Sequence, residues 1–239
     1  LAVPPARLTA AYLGTANGDV DDYFELAQAA MQGLGIRAVH FIRTLRGLAG
    51  ADLELLCTAD VVVLSGGDPV AAMAVWEPTG IADVLRQRAA QVPRTCLMIG
   101  VSAGAMQMAS WVWDGDRSAG SSATPQLVAG LGIAMRLPAM AMHEEKAGWR
   151  EAKTVAERVG VVVGVPFGGI ALLERDGRIQ ALRRPLTLMS RGGGSGSART
   201  VQPGERWEPE QLELGPEPAA CSSQGPAALS GVGARIDQR

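Results

Sequence analysis

The chain has 239 residues and a formal net charge of −2 at pH 7, and 47% of its residues are hydrophobic against 19% charged. This apolar content is sufficient to close a core, so the composition excludes a chain that is disordered throughout. The nearly balanced charge does not indicate a binding surface for duplex nucleic acid, because such a surface requires clustered Lys and Arg. We therefore expect one core domain with a tail, and a partner other than nucleic acid.

The three cysteines, Cys57, Cys96 and Cys221, lie far apart and show no Cys-x-x-Cys spacing. This spacing argues against a disulfide framework and against a structural zinc site. No apolar run reaches the ~18 residues of a membrane span, and the stretch from Leu1 to Arg7 lacks the pattern of a secretory leader. We expect a soluble, cytoplasmic protein with no membrane partner; the start at Leu1 rather than Met leaves a missing upstream segment, such as a removed leader, open.

Segments rich in β-branched residues alternate with helical patterns up to about Arg184, which is typical of βαβ units around a parallel sheet. The pattern predicts strands over 8–13, 36–42, 61–64, 96–101, 137–142 and 161–163. Between them it predicts helices from about 21 to 33 or 35, near 51–57, over 70–90 with a break near Pro78, over 103–111, and over 148–159. The wholly apolar run 61–64 is expected to be a central strand, covered on both faces.

The predicted domain closes with a β-hairpin over 170–174 and 178–182, joined by a type I′ turn at Arg175-Asp176-Gly177. From Arg191 the composition shifts to a Gly/Ser linker and then, beyond Trp207, to Pro, Gly, Ala, Ser and Glu. We predict a domain over 1–190 and a poorly ordered tail over 191–239, with a short strand near 199–201 as an option. The fold class expected is α/β, a three-layer sandwich with a mostly parallel central sheet.

The segment 96–108 carries the clearest chemical signal. An apolar strand enters the turn Gly100-Val101-Ser102-Ala103-Gly104 and leaves it as a helix, which is the context of a nucleophile elbow. The glycines permit a sharp turn that leaves the Ser102 hydroxyl exposed, and the Ala103 N–H can help hold an oxyanion. The turn Gly66-Gly67-Asp68 follows another strand and could supply a second donor. Small residues are also common at ordinary strand-to-helix junctions, so the motif alone leaves a purely structural role open.

A serine nucleophile needs a base, and the chain has only two histidines. His40 lies inside a predicted strand and is interpreted as a strand-face residue. His143 follows the apolar stretch 139–142 at a predicted strand end, where a parallel sheet places its site. His143 is therefore the predicted general base, with a solvated loop histidine as the alternative.

Taken together, Gly66-Gly67-Asp68, the stretch from Gly100 to Ala105, and His143 followed by Gly148-Trp149-Arg150-Glu151 resemble the dipeptidase E and cyanophycinase family of serine peptidases, over about 8–184. The resemblance implies a class I glutamine amidotransferase-like, flavodoxin-like α/β fold with no metal or organic cofactor. It further implies Ser102 as nucleophile, His143 as general base, and the amides of Gly67 and Ala103 as oxyanion donors. It also makes Arg150 the position that binds the carboxylate of an N-terminal aspartate, since a guanidinium fork fits a carboxylate. A surface arginine paired with Glu151 or another neighbour is the alternative for Arg150.

One position departs from the family pattern. Family members usually carry an acid in the turn before the closing hairpin, where this chain reads Gly164-Val165-Pro166-Phe167-Gly168-Gly169. Phe167 cannot accept the histidine N–H or stabilise an imidazolium. The substitutes that stay open are Glu144, Glu145, Asp114 and Asp116, whereas Glu174 is poorly placed in the hairpin.

The leading hypothesis is a serine peptidase that acts on small peptides, with an N-terminal aspartate or another acidic group near the scissile bond. A homodimer is one expected assembly. The alternative is a non-catalytic or weakly active homologue with a ligand-binding or regulatory role, motivated by Phe167. Glutamine amidotransfer would need a cysteine at the elbow, and Cys96 lies back in the strand. An α/β-hydrolase of the broader type would need an acid between the serine and a late histidine, so it ranks last.

Overall fold

The computed structural model describes residues 3–45, 48–91, 96–114, 125–134, 137–174, 177–192 and 198–208. The helices are α1 (Asp21–Gly33), α2 (Gly50–Thr58), α3 (Pro69–Thr79), α4 (Ile81–Ala90), α5 (Ala103–Met108) and α6 (Arg150–Val159). The strands are β1 (Thr9–Leu13), β2 (Ala38–Ile42), β3 (Val61–Leu64), β4 (Leu97–Gly100), β5 (Trp111–Trp113), β6 (Leu127–Ala129), β7 (Ala139–Met142), β8 (Val161–Val165), β9 (Ala171–Leu173), β10 (Ile179–Ala181), β11 (Leu186–Ser190), β12 (Arg199–Val201) and β13 (Arg206–Trp207). None of the helices in these ranges combines the length and the apolar character needed to cross a membrane.

The first sheet contains four parallel strands in the order β2-β1-β3-β4. Strand β3 has a neighbour on each side, which confirms the central position expected from its apolar run. Alternate residues of a strand point to opposite faces. Thus Val62 and Leu64 pack against α2, α3 and α4, whereas Val61 and Val63 share a cluster with Met31 of α1. Helices cover the sheet on both faces, which confirms the predicted α/β sandwich.

The second sheet has the order β12-β11-β8-β7-β5-β6, with β7 parallel to both β5 and β8. Helix α6 buries Ala152, Val155, Ala156 and Val159, the i, i+3, i+4, i+7 stripe of an amphipathic helix, against one face. Helix α5 and the small antiparallel sheet β13-β10-β9 contribute to the cluster on the other side. Hydrogen bonding thus divides the mostly parallel core between two sheets.

Two predicted helix boundaries differ in the structure. The helix expected over 103–111 ends at Met108, and Trp111 begins β5, because Trp111 to Trp113 pair with β6 and Trp111 also pairs with β7. The break expected near Pro78 falls at Gly80, whose φ of +77° ends α3. Proline at position 78 still fits in the last turn of α3, whereas the left-handed conformation at Gly80 is one that glycine adopts readily.

Strands β9 and β10 form the predicted hairpin, with Leu173 opposite Ile179. Two of its turn residues, 175 and 176, lie outside the described residues, so the turn type stays a prediction. Beyond the predicted domain end at residue 190, β12 pairs with β11 and β13 pairs with β10. The linker 193–197 and the tail from 209 to 239, including Cys221, also lie outside the described residues, and the domain boundary stays a prediction.

Candidate active site

The turn between β4 and α5 holds Ser102 in a strained backbone conformation, with φ +48° and ψ −109°. Such a conformation costs on the order of 1–3 kcal/mol in a non-glycine residue and is concentrated at functional sites. Only glycine fits at the two flanking positions, because a side chain at either one would clash with nearby backbone atoms. A Cβ on Gly100 would lie 2.5 Å from the Ala105 nitrogen, and one on Gly104 would lie 2.2 Å from the Leu64 oxygen. The turn therefore has the tight geometry of a nucleophile elbow.

The glycine turn after β3 lies beside this serine. A Cβ placed on Gly66 would be 3.5 Å from the Ser102 Cβ. Gly67 has φ +135°, and a Cβ there would lie 1.9 Å from the Ala16 oxygen, so only glycine fits. The Asp68 carboxylate accepts the N–H groups of the first turn of α3, which fixes the turn from its other end. The fold thus brings the turn with the predicted donor Gly67 to Ser102, and Ala103 is buried directly after the serine.

His143 follows β7 and is exposed, with a left-handed φ of +64°. Its backbone N–H donates to the Val165 oxygen at 3.0 Å, which extends the β7–β8 pairing by one residue. In the described chain only four non-glycine residues have positive φ, and Ser102 and His143 are two of them. Strain at both predicted catalytic positions is an observation independent of the sequence motif.

Ser102 and His143 lie at the carboxyl ends of β4 and β7, and α5 packs against both strands. Ala105 of α5 packs in the same buried cluster as Met140 of β7. In the described part of the chain no hydrogen bond joins the Ser102 hydroxyl to the His143 ring. In substrate-free enzymes catalytic hydrogen bonds are often long and tighten when substrate binds. The other histidine, His40, is an exposed residue of β2, as expected.

A cavity of about 410 Å³ opens beside the imidazole and is lined by His143, Glu145, Lys146, Phe167 and Arg184. The Phe167 ring centroid lies 5.6 Å from that of His143. The predicted residues Ser102, Gly67, Ala103 and Arg150 are not among its lining residues.

Sequence reasoning missed Lys146 and Arg184 as cavity residues. Arg184 follows the hairpin, 41 positions after His143 along the chain, and its Nε lies 3.4 Å from where a Cβ on Gly168 would stand. No motif marks either cation, because the packing of the hairpin segment against the β8 turn brings Arg184 to the cavity.

The candidate acids have different environments. Burial raises the pKa of Glu144, although the Ala152 N–H, which Glu144 accepts at 3.1 Å, partly offsets this. The carboxylate of Glu144 is therefore hydrogen-bonded to the first turn of α6. Glu174 is ion-paired with Arg206 at 2.9 Å, in agreement with its expected poor placement. Asp114 is exposed after β5, and Asp116 lies outside the described residues.

Glu145 is the candidate acid that lines the cavity. Its Oε1 accepts the Phe167 backbone N–H at 3.0 Å, and its Oε2 is buried with no hydrogen-bond partner in the described chain. Partial burial acts to raise the pKa of Glu145, but backbone N–H groups and the positive charges of His143 and Lys146 outweigh it and lower that pKa. Glu145 is therefore ionised beside the imidazole.

Arg150 is the first residue of α6 and is exposed. The preceding Trp149 is buried with φ +59°, and its ring would be 2.8 Å from a Cβ on Gly164. This packing fixes where α6 begins and hence the position of Arg150. A role of Arg150 in substrate binding stays a prediction.

Cys96 immediately precedes β4, and burial raises the pKa of its thiol. This disfavours the thiolate that cysteine chemistry requires. In the described residues no group of three or more His, Cys, Asp or Glu could hold a metal ion.

An α/β fold with a strained serine at a strand-to-helix turn is the arrangement of a serine hydrolase. The model of peptidase family S51 matches residues 5–151, more than half of the chain. The chain belongs to peptidase family S51 and is a serine peptidase, as the resemblance implied.

Solved structures of similar fold support this assignment at the level of architecture. A peptidase from an acI-B1 Actinobacterium is 17% identical, with a TM-score of 0.60 over 84% of this chain and 82% of the other. A candidate peptidase E protein from Listeria monocytogenes EGD-e is 17% identical, with a TM-score of 0.52 over 82% of this chain and 86% of the other. No curated protein matches the chain.

Proposed function

We propose that the chain hydrolyses short peptides with an acidic group beside the scissile bond, and that N-terminal aspartyl dipeptides are its preferred class of substrate. Ser102 is the nucleophile and His143 the general base. The N–H groups of Gly67 and Ala103 bind the oxyanion. A cytoplasmic location and a homodimeric assembly remain predictions from the sequence.

In the proposed reaction the Ser102 oxygen attacks the peptide carbonyl carbon while His143 takes the hydroxyl proton. The carbonyl oxygen becomes an oxyanion held by the two amide donors. The C–N bond then breaks, and His143 returns the proton to the leaving amine. Water, deprotonated by the same imidazole, then attacks the acyl carbon. The ester C–O bond breaks, His143 returns the proton to the Ser102 oxygen, and the carboxylic acid product leaves.

The observation that carries this proposal is the strained Ser102 with the glycine turn beside it. A Cβ on Gly66 would be only 3.5 Å from the Ser102 Cβ, so backbone N–H groups of that turn can approach a carbonyl bound to the serine. A backbone at φ +48° costs free energy that an ordinary turn would avoid.

The acidic preference is supported by charge at the cavity. Lys146 and Arg184 line it together with His143, and a guanidinium binds a carboxylate through two parallel hydrogen bonds. Arg150 keeps its predicted role at the aspartate side chain. Phe167 is 72% exposed at the same cavity, so its ring can contact the apolar part of a bound peptide.

The test is hydrolysis of Asp-Leu by the wild type and by Ser102→Ala, His143→Gln and His40→Gln. Ser102→Ala and His143→Gln are expected to lose about 10³-fold or more in kcat/KM. His40→Gln is the matched control, because His40 is an exposed strand residue, and it should retain wild-type activity.

A fluorophosphonate probe tests the nucleophile independently of the substrate. Labelling of the wild type and not of Ser102→Ala is expected. A wild type that is neither labelled nor active on Asp-X dipeptides would favour the ligand-binding homologue instead.

A further inference from the structure

We propose that Glu145 is the positioning acid of this active site: its carboxylate stabilises His143 while the imidazole carries a proton, and the backbone N–H of Phe167 holds that carboxylate in place. The proposal rests on the proposed role of His143 as general base. It assigns to Glu145 the task that an acid at position 167 would otherwise perform.

Phe167 links the acid to the histidine in two ways. Its backbone N–H donates to the Glu145 Oε1 at 3.0 Å across 22 positions of sequence. Its ring packs against the imidazole, with centroids 5.6 Å apart and ring planes inclined by 60°. The loss of a carboxylate side chain at position 167 therefore does not remove negative charge from the site, because the main chain of the same residue fixes another carboxylate there.

The second oxygen of Glu145 has an unusual environment. Oε2 is buried and has no hydrogen-bond partner among the described residues. A buried ionised oxygen without a hydrogen bond is costly unless a nearby positive charge compensates it. The positive charges that interact with this carboxylate are those of Lys146 and a protonated His143. The unpaired oxygen is thus available to an imidazolium.

The other charged side chains at the cavity are cations. Lys146 and Arg184 line the cavity together with His143. Glu145 is the only carboxylate among the described residues that line it. Glu144, its chain neighbour, is hydrogen-bonded to the Ala152 N–H instead. One negative charge close to the ring offsets the two cations during proton transfer.

The experiment compares Glu145→Gln with the matched control Glu144→Gln. In Glu145→Gln the amide oxygen can still accept the Phe167 N–H, so the substitution removes the negative charge and keeps this hydrogen bond. The readouts are the pH dependence of fluorophosphonate labelling at Ser102 and of kcat/KM for Asp-Leu. Glu145→Gln is expected to react about 10- to 100-fold more slowly, with the acid limb of both profiles moved to lower pH by about half to one unit. The control should keep the wild-type acid limb.

Glu145→Asp separates charge from structure. It retains the carboxylate and is expected to keep the wild-type acid limb, with a rate above that of Glu145→Gln. Equal losses in the Asp and Gln variants, together with an unmoved acid limb, would reduce Glu145 to a structural role and overturn the proposal.

An unchanged rate and acid limb in Glu145→Gln would also overturn it, while loss of labelling in Ser102→Ala would leave the proposed function standing. If the wild type itself is not labelled at Ser102, the proposed function fails and this assignment fails with it.

Discussion

Replacing Gly104 by alanine is expected to disrupt the elbow at its base. The added Cβ would stand 2.2 Å from the Leu64 oxygen and 2.7 Å from its carbonyl carbon. Both atoms belong to the backbone of a strand with neighbours on both sides, so the start of α5 must move away by roughly 1 Å to reach an ordinary contact. Overpacking of this kind costs about 1–3 kcal/mol, and contact with backbone puts this case at the upper end. A displacement of about 1 Å at a reacting group can cost on the order of 100-fold in rate.

Two assays measure these effects on the same protein. Urea unfolding gives the loss of stability, and the rate of fluorophosphonate labelling at Ser102 gives the loss of reactivity. Gly33→Ala is the matched control, because a Cβ at this position in α1 meets nothing within 4 Å beyond its chain neighbours and the backbone of its own helix, and its stability should change by less than about 1 kcal/mol. A Gly104→Ala protein with the wild-type urea midpoint and labelling rate would refute the steric argument for the elbow.

Three further predictions concern the cavity, the core and the response to pH. Arg184→Ala should raise KM for Asp-Leu by about tenfold or more with a smaller change in kcat. Arg183→Ala is the control, because Arg183 does not line the cavity, and it should leave KM unchanged. Equal effects of the two substitutions would contradict a role of Arg184 in substrate binding. Trp76→Phe removes a buried N–H that donates to the Thr15 hydroxyl at 2.7 Å, so urea unfolding should show a loss of about 1–3 kcal/mol, and an unchanged midpoint would argue against this bond. Because the pKa of Glu144 is raised in the folded state by burial, its stabilising contribution is present at low pH and is lost as pH rises through that pKa. Glu144→Gln should therefore gain stability relative to the wild type between about pH 4 and about pH 7, and a relative loss over that interval would show the sign to be wrong.

The elbow could be predicted from the sequence because its signals are local. An apolar strand, two glycines around Ser102 and a following helix lie within one short segment, and the structure gives each glycine a steric reason. The same holds for β3, whose apolar run is that of a strand covered on both faces. The helix predicted through Trp111 was wrong, because pairing with neighbouring strands makes Trp111 the first residue of β5.

The environment of His143 could not be predicted in the same way. The sequence shows Phe167 where an acid was expected, and it names Glu145 only as one of several substitutes. The hydrogen bond that selects Glu145 joins a side chain to a backbone N–H 22 positions away. The donor is a backbone N–H, which almost every residue type has, so the identity of the side chain at position 167 gives no sign of this hydrogen bond.

The amino-acid sequence by itself determined the alternation of strands and helices in the first sheet, the turn that exposes Ser102, and the histidine at the end of a strand, because hydrophobic periodicity and glycine steric freedom act over a few neighbouring residues. Only the tertiary structure decided which charges surround that histidine. The Arg184 side chain passes Gly168 and lines the cavity. Glu145 is hydrogen-bonded there to the Phe167 N–H in the turn after β8. Such contacts depend on how distant segments pack, and electrostatic interactions between them follow from distance in space rather than from separation along the chain.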